Sequence, residues 1–147
     1  MEEKDNKKIY YLNQKELPTI PVPHDCVVKH IVLSRNDIEF RFEDDISQYE
    51  SIQYHKPGAK SLIIRFQLVG PEDYNIYKWI YPQKPFQKDG CYKRIENKNI
   101  TELTKGKAKL EYLYHNVGYS SIIVKLWAGS EIILDADADY VEYEWIF

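Results

Sequence analysis

The sequence contains few of the residues that mark specialised protein classes. It has two cysteines, one methionine, six glycines and seven prolines among 147 residues. These counts exclude a disulfide-rich scaffold and a collagen-like repeat, and a hydrophobic fraction of 44% excludes wholesale disorder. No apolar run approaches the length of a signal peptide core or a membrane-spanning helix. We therefore expect a cytoplasmic protein with no membrane partner, in which Cys26 and Cys91 remain thiols.

The signatures of common enzymes are also missing. The chain has no dinucleotide-binding glycine motif, P-loop, nucleophile elbow or zinc-protease helix motif. We expect no cofactor, and catalysis is a secondary hypothesis that depends on one cluster of reactive side chains. In an extended strand, His24, Cys26 and His30 would share one face, and imidazole and thiolate are ligands that zinc prefers. The opposing interpretation is that Cys26 is a small buried hydrophobic residue.

Aromatic residues are abundant, with 13 tyrosines and three tryptophans. Aromatic side chains fit the half-buried surface of a sheet, and apolar residues alternate with polar ones in IEFRF (residues 38–42) and VEYEWIF (residues 141–147). The pattern predicts two strands there and others at residues 9–12, 26–33, 61–68, 74–81, 91–96, 109–114, 121–127 and 131–135.

Turn residues separate these strands. Clusters of glycine, proline, asparagine and aspartate, such as those at residues 56–58 and 116–118, indicate tight connections. We predict an all-β, mainly antiparallel domain over residues 9–147, closed as a barrel or packed as a sandwich. Short connector helices are expected at residues 44–52 and 99–104, and residues 1–8 are expected to form a flexible polar leader.

Charge is distributed unevenly. Residues 78–109 contain nine lysines and arginines against three acidic residues, whereas residues 110–147 contain one lysine against seven acidic residues. Two interpretations remain open. The segments pair as neighbouring strands and their charges cancel, or they form separate faces that attract partners of opposite charge.

The acidic segment is the preferred partner-binding surface. An acidic, tyrosine-rich β-domain suits protein recognition, because tyrosine provides a large contact area at low entropic cost. We expect contact with a basic protein surface. The expected contact residues are Glu131, Asp135, Asp137, Asp139, Glu142 and Glu144. The run of alternating aspartates lacks the glycine and the final glutamate of a calcium loop, so we interpret it as an acidic turn between two strands.

The basic segment suggests a single-stranded nucleic-acid surface as the alternative. Aromatic side chains on a positive sheet can stack with bases. The relevant residues are Lys78, Trp79, Lys84, Lys88, Lys93 and Arg94. An overall net charge of −3 argues against this alternative.

One part of the sequence resembles known proteins. Residues 23–31 (PHDCVVKHI), followed by residues 38–42, resemble the opening of small bacterial β-rich immunity proteins of polymorphic toxin systems. The similarity covers about 20 residues and transfers no functional residue. It implies a non-catalytic cytosolic inhibitor, of bacterial or phage origin, that binds a toxin, nuclease or defence effector by surface complementarity.

Overall fold

The computed structural model describes residues 6–147, and within them it shows nine strands, one short α-helix and one 3₁₀ helix. The helix α1 spans Glu50–His55 and the 3₁₀ helix spans Asn97–Thr104. The strands are β1 Lys7–Tyr11, β2 Val27–Leu33, β3 Asp37–Phe42, β4 Ser61–Leu68, β5 Tyr74–Ile80, β6 Cys91–Ile95, β7 Leu110–Gly118, β8 Ser121–Trp127 and β9 Glu131–Ile146.

All strand pairings are antiparallel, and six strands form a closed ring in the order β9-β8-β7-β2-β3-β4. The ring closes because β9 pairs with β8 along its first half and with β4 along its second half. Outside the ring, β5 pairs with the first half of β9 and β1 with the second half, while β6 extends the sheet from β5. The predicted all-β, antiparallel fold is confirmed.

A β-bulge in β9 lies between the half that pairs with β8 and the half that pairs with β4. Ile132, Leu134 and the two alanines Ala136 and Ala138 point into the core at even positions. The register then shifts, because Gln67 pairs with Tyr140 while Leu68 pairs with Ala138. One extra residue, Asp139, moves the inward-facing positions to Val141, Tyr143 and Trp145.

The prediction of an acidic turn between two strands was therefore wrong. The strands expected at residues 131–135 and 141–147 are one continuous strand of 16 residues. Alanine contributes little to a hydrophobic pattern, so the segment with Ala136 and Ala138 was interpreted as a polar turn. Both alanines are fully buried, and their aspartate neighbours Asp135 and Asp137 point outward.

Other predicted boundaries differ by a few residues. Residues 1–5 of the expected leader lie outside the described residues, and Lys7 and Lys8 already belong to β1. The turn expected at residues 116–118 lies inside β7, and the chain reverses after Gly118, where Ser120 has a φ of 48°. The first connector helix begins at Glu50, later than expected, and the second is a 3₁₀ helix.

Two tyrosine hydroxyls inside the ring hold the segment that precedes β2. The Tyr112 hydroxyl lies 2.6 Å from Nδ1 of His115, and Nε2 of His115 lies 3.0 Å from the Ile20 carbonyl oxygen. A carbonyl only accepts, so Nε2 donates and the neutral ring accepts the Tyr112 proton at Nδ1. The Tyr143 hydroxyl donates to the Pro21 carbonyl at 2.5 Å. These bonds satisfy polar groups that would otherwise be costly to bury.

The protonation of His115 should make the free energy of unfolding depend on pH. Burial lowers the pKa of His115, and the hydrogen bond to Ile20 opposes this only in part. The unfolded chain therefore binds the proton more readily, and stability falls as the pH drops below about 6.5 towards the folded-state pKa. Replacing His115 by Gln should remove this contribution, which is at most about 1.4 kcal/mol per pH unit. Urea unfolding at several pH values tests this, and identical pH slopes for both proteins would contradict it.

Candidate functional site

The outward surface of five neighbouring strands is the candidate site. These strands are β7, β8, the first half of β9, β5 and β6, which we call the front section. On β8, Ile122, Val124 and Leu126 are fully buried, so the alternate residues Ile123, Lys125 and Trp127 point outward. We call this outward surface of the front section the front face.

Five aromatic side chains on the front face form what we call the aromatic cluster: Tyr77, Trp79, Tyr92, Tyr114 and Trp127. Strand register brings them together. On the hairpin, Trp79 lies directly opposite Tyr92. Across β9 and β8, Tyr77 aligns with Lys125, and Lys125 pairs with Tyr114 on β7. The rings of Trp79 and Tyr92 meet edge to face with centroids 5.0 Å apart. Trp127 is 38% exposed and Tyr92 is 44% exposed, so the cluster is open to solvent.

An ion pair lies within the aromatic cluster. Lys125 Nζ is 3.2 Å from a Glu131 carboxylate oxygen and 5.1 Å from the centre of the Tyr114 ring. Hydrogen bonds to Tyr114 and Glu131 raise the pKa of Lys125. Partial desolvation and the Glu131 carboxylate raise the pKa of Tyr92. Glu131, one of the predicted contact residues, is therefore engaged with the cluster rather than free.

An acidic groove adjoins the other end of the front face. It is lined by Glu72, Asp73, Tyr74, Asn75, Asp135 and Asp137. The turn between β4 and β5 carries Glu72 and Asp73, and β5 pairs with β9 so that Asn75 lies opposite Asp135. Among the ion pairs of residues 6–147, none includes these four carboxylates. The groove therefore concentrates negative charge that is not held in direct ion pairs, and two cations, Arg94 and Lys98, line a neighbouring cavity with Glu72.

Glu142 and Glu144 belong to a different surface. They point outward from the second half of β9, where one nitrogen of Arg65 lies 2.6 Å from Glu142 and 2.8 Å from Glu144. Arg65 also donates to Glu39 at 2.6 Å, and Arg41 donates to the same carboxylate at 2.5 Å. Burial raises the pKa of Glu39, but the hydrogen bonds from the two arginines outweigh it and the net pKa is lowered.

The acidic residues predicted to contact a partner are thus separated along β9. Asp135 and Asp137 lie in the groove, whereas Glu142 is seven residues from Asp135, about 23 Å along an extended strand. Asp139 is half-buried at the bulge, and its carbonyl accepts a hydrogen bond from Leu12. The sequence pattern did not reveal Glu72 and Asp73, which reach the groove only through strand pairing.

The predicted basic surface is also divided. Trp79 and Arg94 point to the front face, whereas Lys78 and Lys93 lie directly opposite each other on the other side of the β5–β6 hairpin. Lys84 and Lys88 lie in the exposed loop between the two strands. Within the described chain, ion pairs join β9 carboxylates to Lys7, Arg65 and Lys125, and none joins them to residues 78–109.

The three residues considered as metal ligands do not converge. Cys26 is fully buried, whereas His24 is exposed beside Asp25 at 2.9 Å and His30 is exposed on β2. The expected shared face was wrong, because Asp25 has a φ of 66° and a bulge interrupts β2 before His30. Within residues 6–147, no group of three or more His, Cys, Asp or Glu side chains has an arrangement that could hold a metal ion.

Comparisons with protein-family models, curated proteins and solved structures find no match for this chain. The resemblance to immunity proteins therefore stays a prediction. Among the described residues, no helix combines the length and apolar character needed to cross a bilayer.

The two thiols should react at very different rates. Burial raises the pKa of the Cys26 thiol to about 12, while Cys91 is exposed on β6. Because the thiolate is the reactive form, a thiol reagent should label one cysteine per folded chain and both after denaturation. The matched variants Cys91→Ser and Cys26→Ala assign the signal. Fast labelling of folded Cys91→Ser would contradict the enclosed position of Cys26.

Proposed function

We propose that this chain is a non-catalytic protein-binding protein, with the front face as its contact surface. The observation that supports this proposal is the position of an exposed aromatic cluster beside an acidic groove whose carboxylates take part in no ion pair among the described residues. Tyrosine and tryptophan contribute strongly to protein interfaces because they bury large areas with few rotatable bonds. The acidic groove adds selectivity for a basic partner and speeds its association.

The class of partner follows from the resemblance and from charge. A basic toxin, nuclease or defence effector would match the groove, and the resemblance at residues 23–31 supports an immunity-type inhibitor in the cytoplasm. This chain would inhibit an effector simply by binding to it and covering part of its surface. The proposal therefore needs no catalytic residue and no cofactor.

The distribution of charge does not favour nucleic acid on this face. Along the paired strands, Glu111 lies opposite Trp127, which lies opposite Glu131, so carboxylates flank the aromatic side chains. These carboxylates would repel phosphates near the stacking positions. Of the nearby cations, Lys78 and Lys93 project from the opposite side of the hairpin, and Lys125 is paired with Glu131, which leaves Arg94 to bind phosphate on the front face of the hairpin.

Comparative capture from a lysate of the source organism tests the proposed function. A protein that binds the front face should be retained by the wild-type chain and lost from a Tyr92→Ala, Trp127→Ala variant. Once that protein is purified, Trp127→Ala should weaken binding by about thirtyfold, as expected for a hot-spot residue. Asp135→Asn with Asp137→Asn should weaken it by about tenfold at low salt, mainly by slowing association.

The control neutralises the same number of acidic residues, in Asp44→Asn with Glu50→Gln, two exposed positions before and at the start of α1. It should bind as the wild type does. Equal binding by the wild-type and aromatic variants would contradict the proposed surface. Tight binding of single-stranded RNA or DNA at physiological salt, lost on replacing Lys88, Lys93 and Arg94 by Glu, would support the nucleic-acid alternative instead.

A further inference from the structure

The loop that joins β5 to β6 presents an aromatic side chain between two lysines. Phe86 is 82% exposed, and Lys84 and Lys88 lie two residues to either side. The Gln87 amide donates to the Lys84 carbonyl at 3.0 Å, so Pro85 and Phe86 occupy the centre of a tight turn. The Gln87 side chain accepts from the Gln83 amide and donates to the Asp89 carbonyl. The loop is thus internally braced.

The same hairpin carries positive charge that is not held in direct ion pairs, although Arg94 lines a cavity with Glu72 and Glu96. Lys78 lies directly opposite Lys93, a cross-strand pair of like charges that destabilises a sheet. Among the described residues, none of the five cations of the hairpin, which are Lys78, Lys84, Lys88, Lys93 and Arg94, takes part in an ion pair. Charged residues often protect an exposed edge strand from pairing with another chain. That role would explain charge on the edge strand β6, but it does not explain Lys78, which lies on the inner strand β5.

Exposed apolar side chains border the acidic groove. Val69 is 52% exposed and its amide donates to the Asp137 carbonyl. Tyr119, which is 69% exposed, occupies the turn that precedes Ser121, the partner of Asp137. Ile123 pairs with Asp135 and also points outward. Carboxylates beside exposed apolar groups complement the hairpin loop, in which lysines flank an exposed aromatic ring.

These complementary surfaces lie too far apart to meet within one chain. Strand β5 begins at Tyr74, which lines the groove, and ends at Ile80, where the hairpin loop begins. Seven residues of strand separate the two regions by about 20 Å. Because β5 is held between β6 and β9, the hairpin has no freedom to fold back onto its own groove.

We propose that the β5–β6 hairpin of one chain docks into the acidic groove of a second copy, and that the exchange is reciprocal. Phe86 would pack against Val69, Tyr119 and Ile123 of the other copy, while Lys84 and Lys88 would approach its carboxylates. A two-fold arrangement makes both contacts at once and closes the assembly as a dimer. Each contact places the positive charge of a hairpin loop next to the negative charge of a groove, and it buries apolar surface that is otherwise exposed.

This self-association would regulate the proposed function without depending on it. The groove that receives the hairpin is the groove proposed to meet a basic partner, so the partner and the second copy would compete for it. The dimer needs no foreign protein and is tested with the purified chain alone. Loss of the dimer in the hairpin variants would free the groove and so would not abolish partner capture, and the two proposals therefore fail separately.

Sedimentation velocity over a range of protein concentrations and salt tests the dimer. The wild-type chain should form two-chain species at low salt and dissociate as salt rises. Reversing the hairpin charges in Lys84→Glu with Lys88→Glu should weaken self-association by at least about tenfold, and so should reversing the groove charges in Asp135→Lys with Asp137→Lys. Phe86→Ser should weaken it while leaving all charges in place.

Mixing the two charge-reversed variants provides the decisive measurement. In the first variant the two residues beside Phe86 are acidic and meet an acidic groove, and in the second the loop lysines meet a groove that holds two lysines beside Glu72 and Asp73, so each variant alone should associate weakly. Together they should form a heterodimer, because the acidic loop of the first variant then meets the introduced lysines of the second, and the lysines of the second loop meet the unchanged carboxylates of the first. The control variants Asp44→Lys with Glu50→Lys and Tyr54→Ser, at exposed positions in or just before α1, should dimerise like the wild type.

Three results would overturn the proposal. They are a wild-type chain that stays monomeric at every concentration in low salt, a dimer that persists in the hairpin-reversed variant, and a mixture of the two reversed variants that does not associate. Species that grow beyond two chains with concentration would also contradict the reciprocal arrangement. Melting temperatures close to that of the wild-type chain ensure that each variant is folded.

Discussion

The structure depends on one strand that belongs to two parts of the sheet. The first half of β9 pairs with β8 and β5, and the second half pairs with β4 and β1. Ala136 and Ala138 are fully buried where these partners change, and the bulge at Asp139 then reverses which residues face the core. Without the bulge, Val141, Tyr143 and Trp145 would point to solvent, and the ring could not bury its interior.

This constraint also places the charged surfaces. Because β9 passes from one part of the sheet to the other, its carboxylates are divided between the groove on the front face and the arginine network around Arg65. The network satisfies its own charges, with Glu39 and Glu142 both held by the same guanidinium. The groove carboxylates take part in no ion pair among the described residues, so negative charge remains exposed at the front face. The basic hairpin lies at the far end of the same strand β5, and the molecule therefore carries opposite charges at the two ends of one face.

Local patterns predicted most of the fold but little of the site. Strands at residues 61–68 and 121–127 were predicted with the bounds that the structure shows, because alternation and turn residues are local signals. Pairing is not local: the strands that lie beside β5 decide that Glu72 approaches Asp135 and that Lys78 lies opposite Lys93. Alternation alone also missed the buried alanines of β9, since their small side chains resemble those of a turn.

Native-state hydrogen exchange of the β9 amides tests the central role of this strand most directly. If β9 joins both parts of the sheet into one cooperative unit, hydrogen-bonded amides at residues 132–136 and 141–145 should exchange only through global unfolding. Both groups should then report the same free energy of opening, equal to the free energy of unfolding measured with denaturant. A distinctly lower free energy for residues 141–145, with residues 132–136 still protected, would show that the second half opens on its own and would contradict this account.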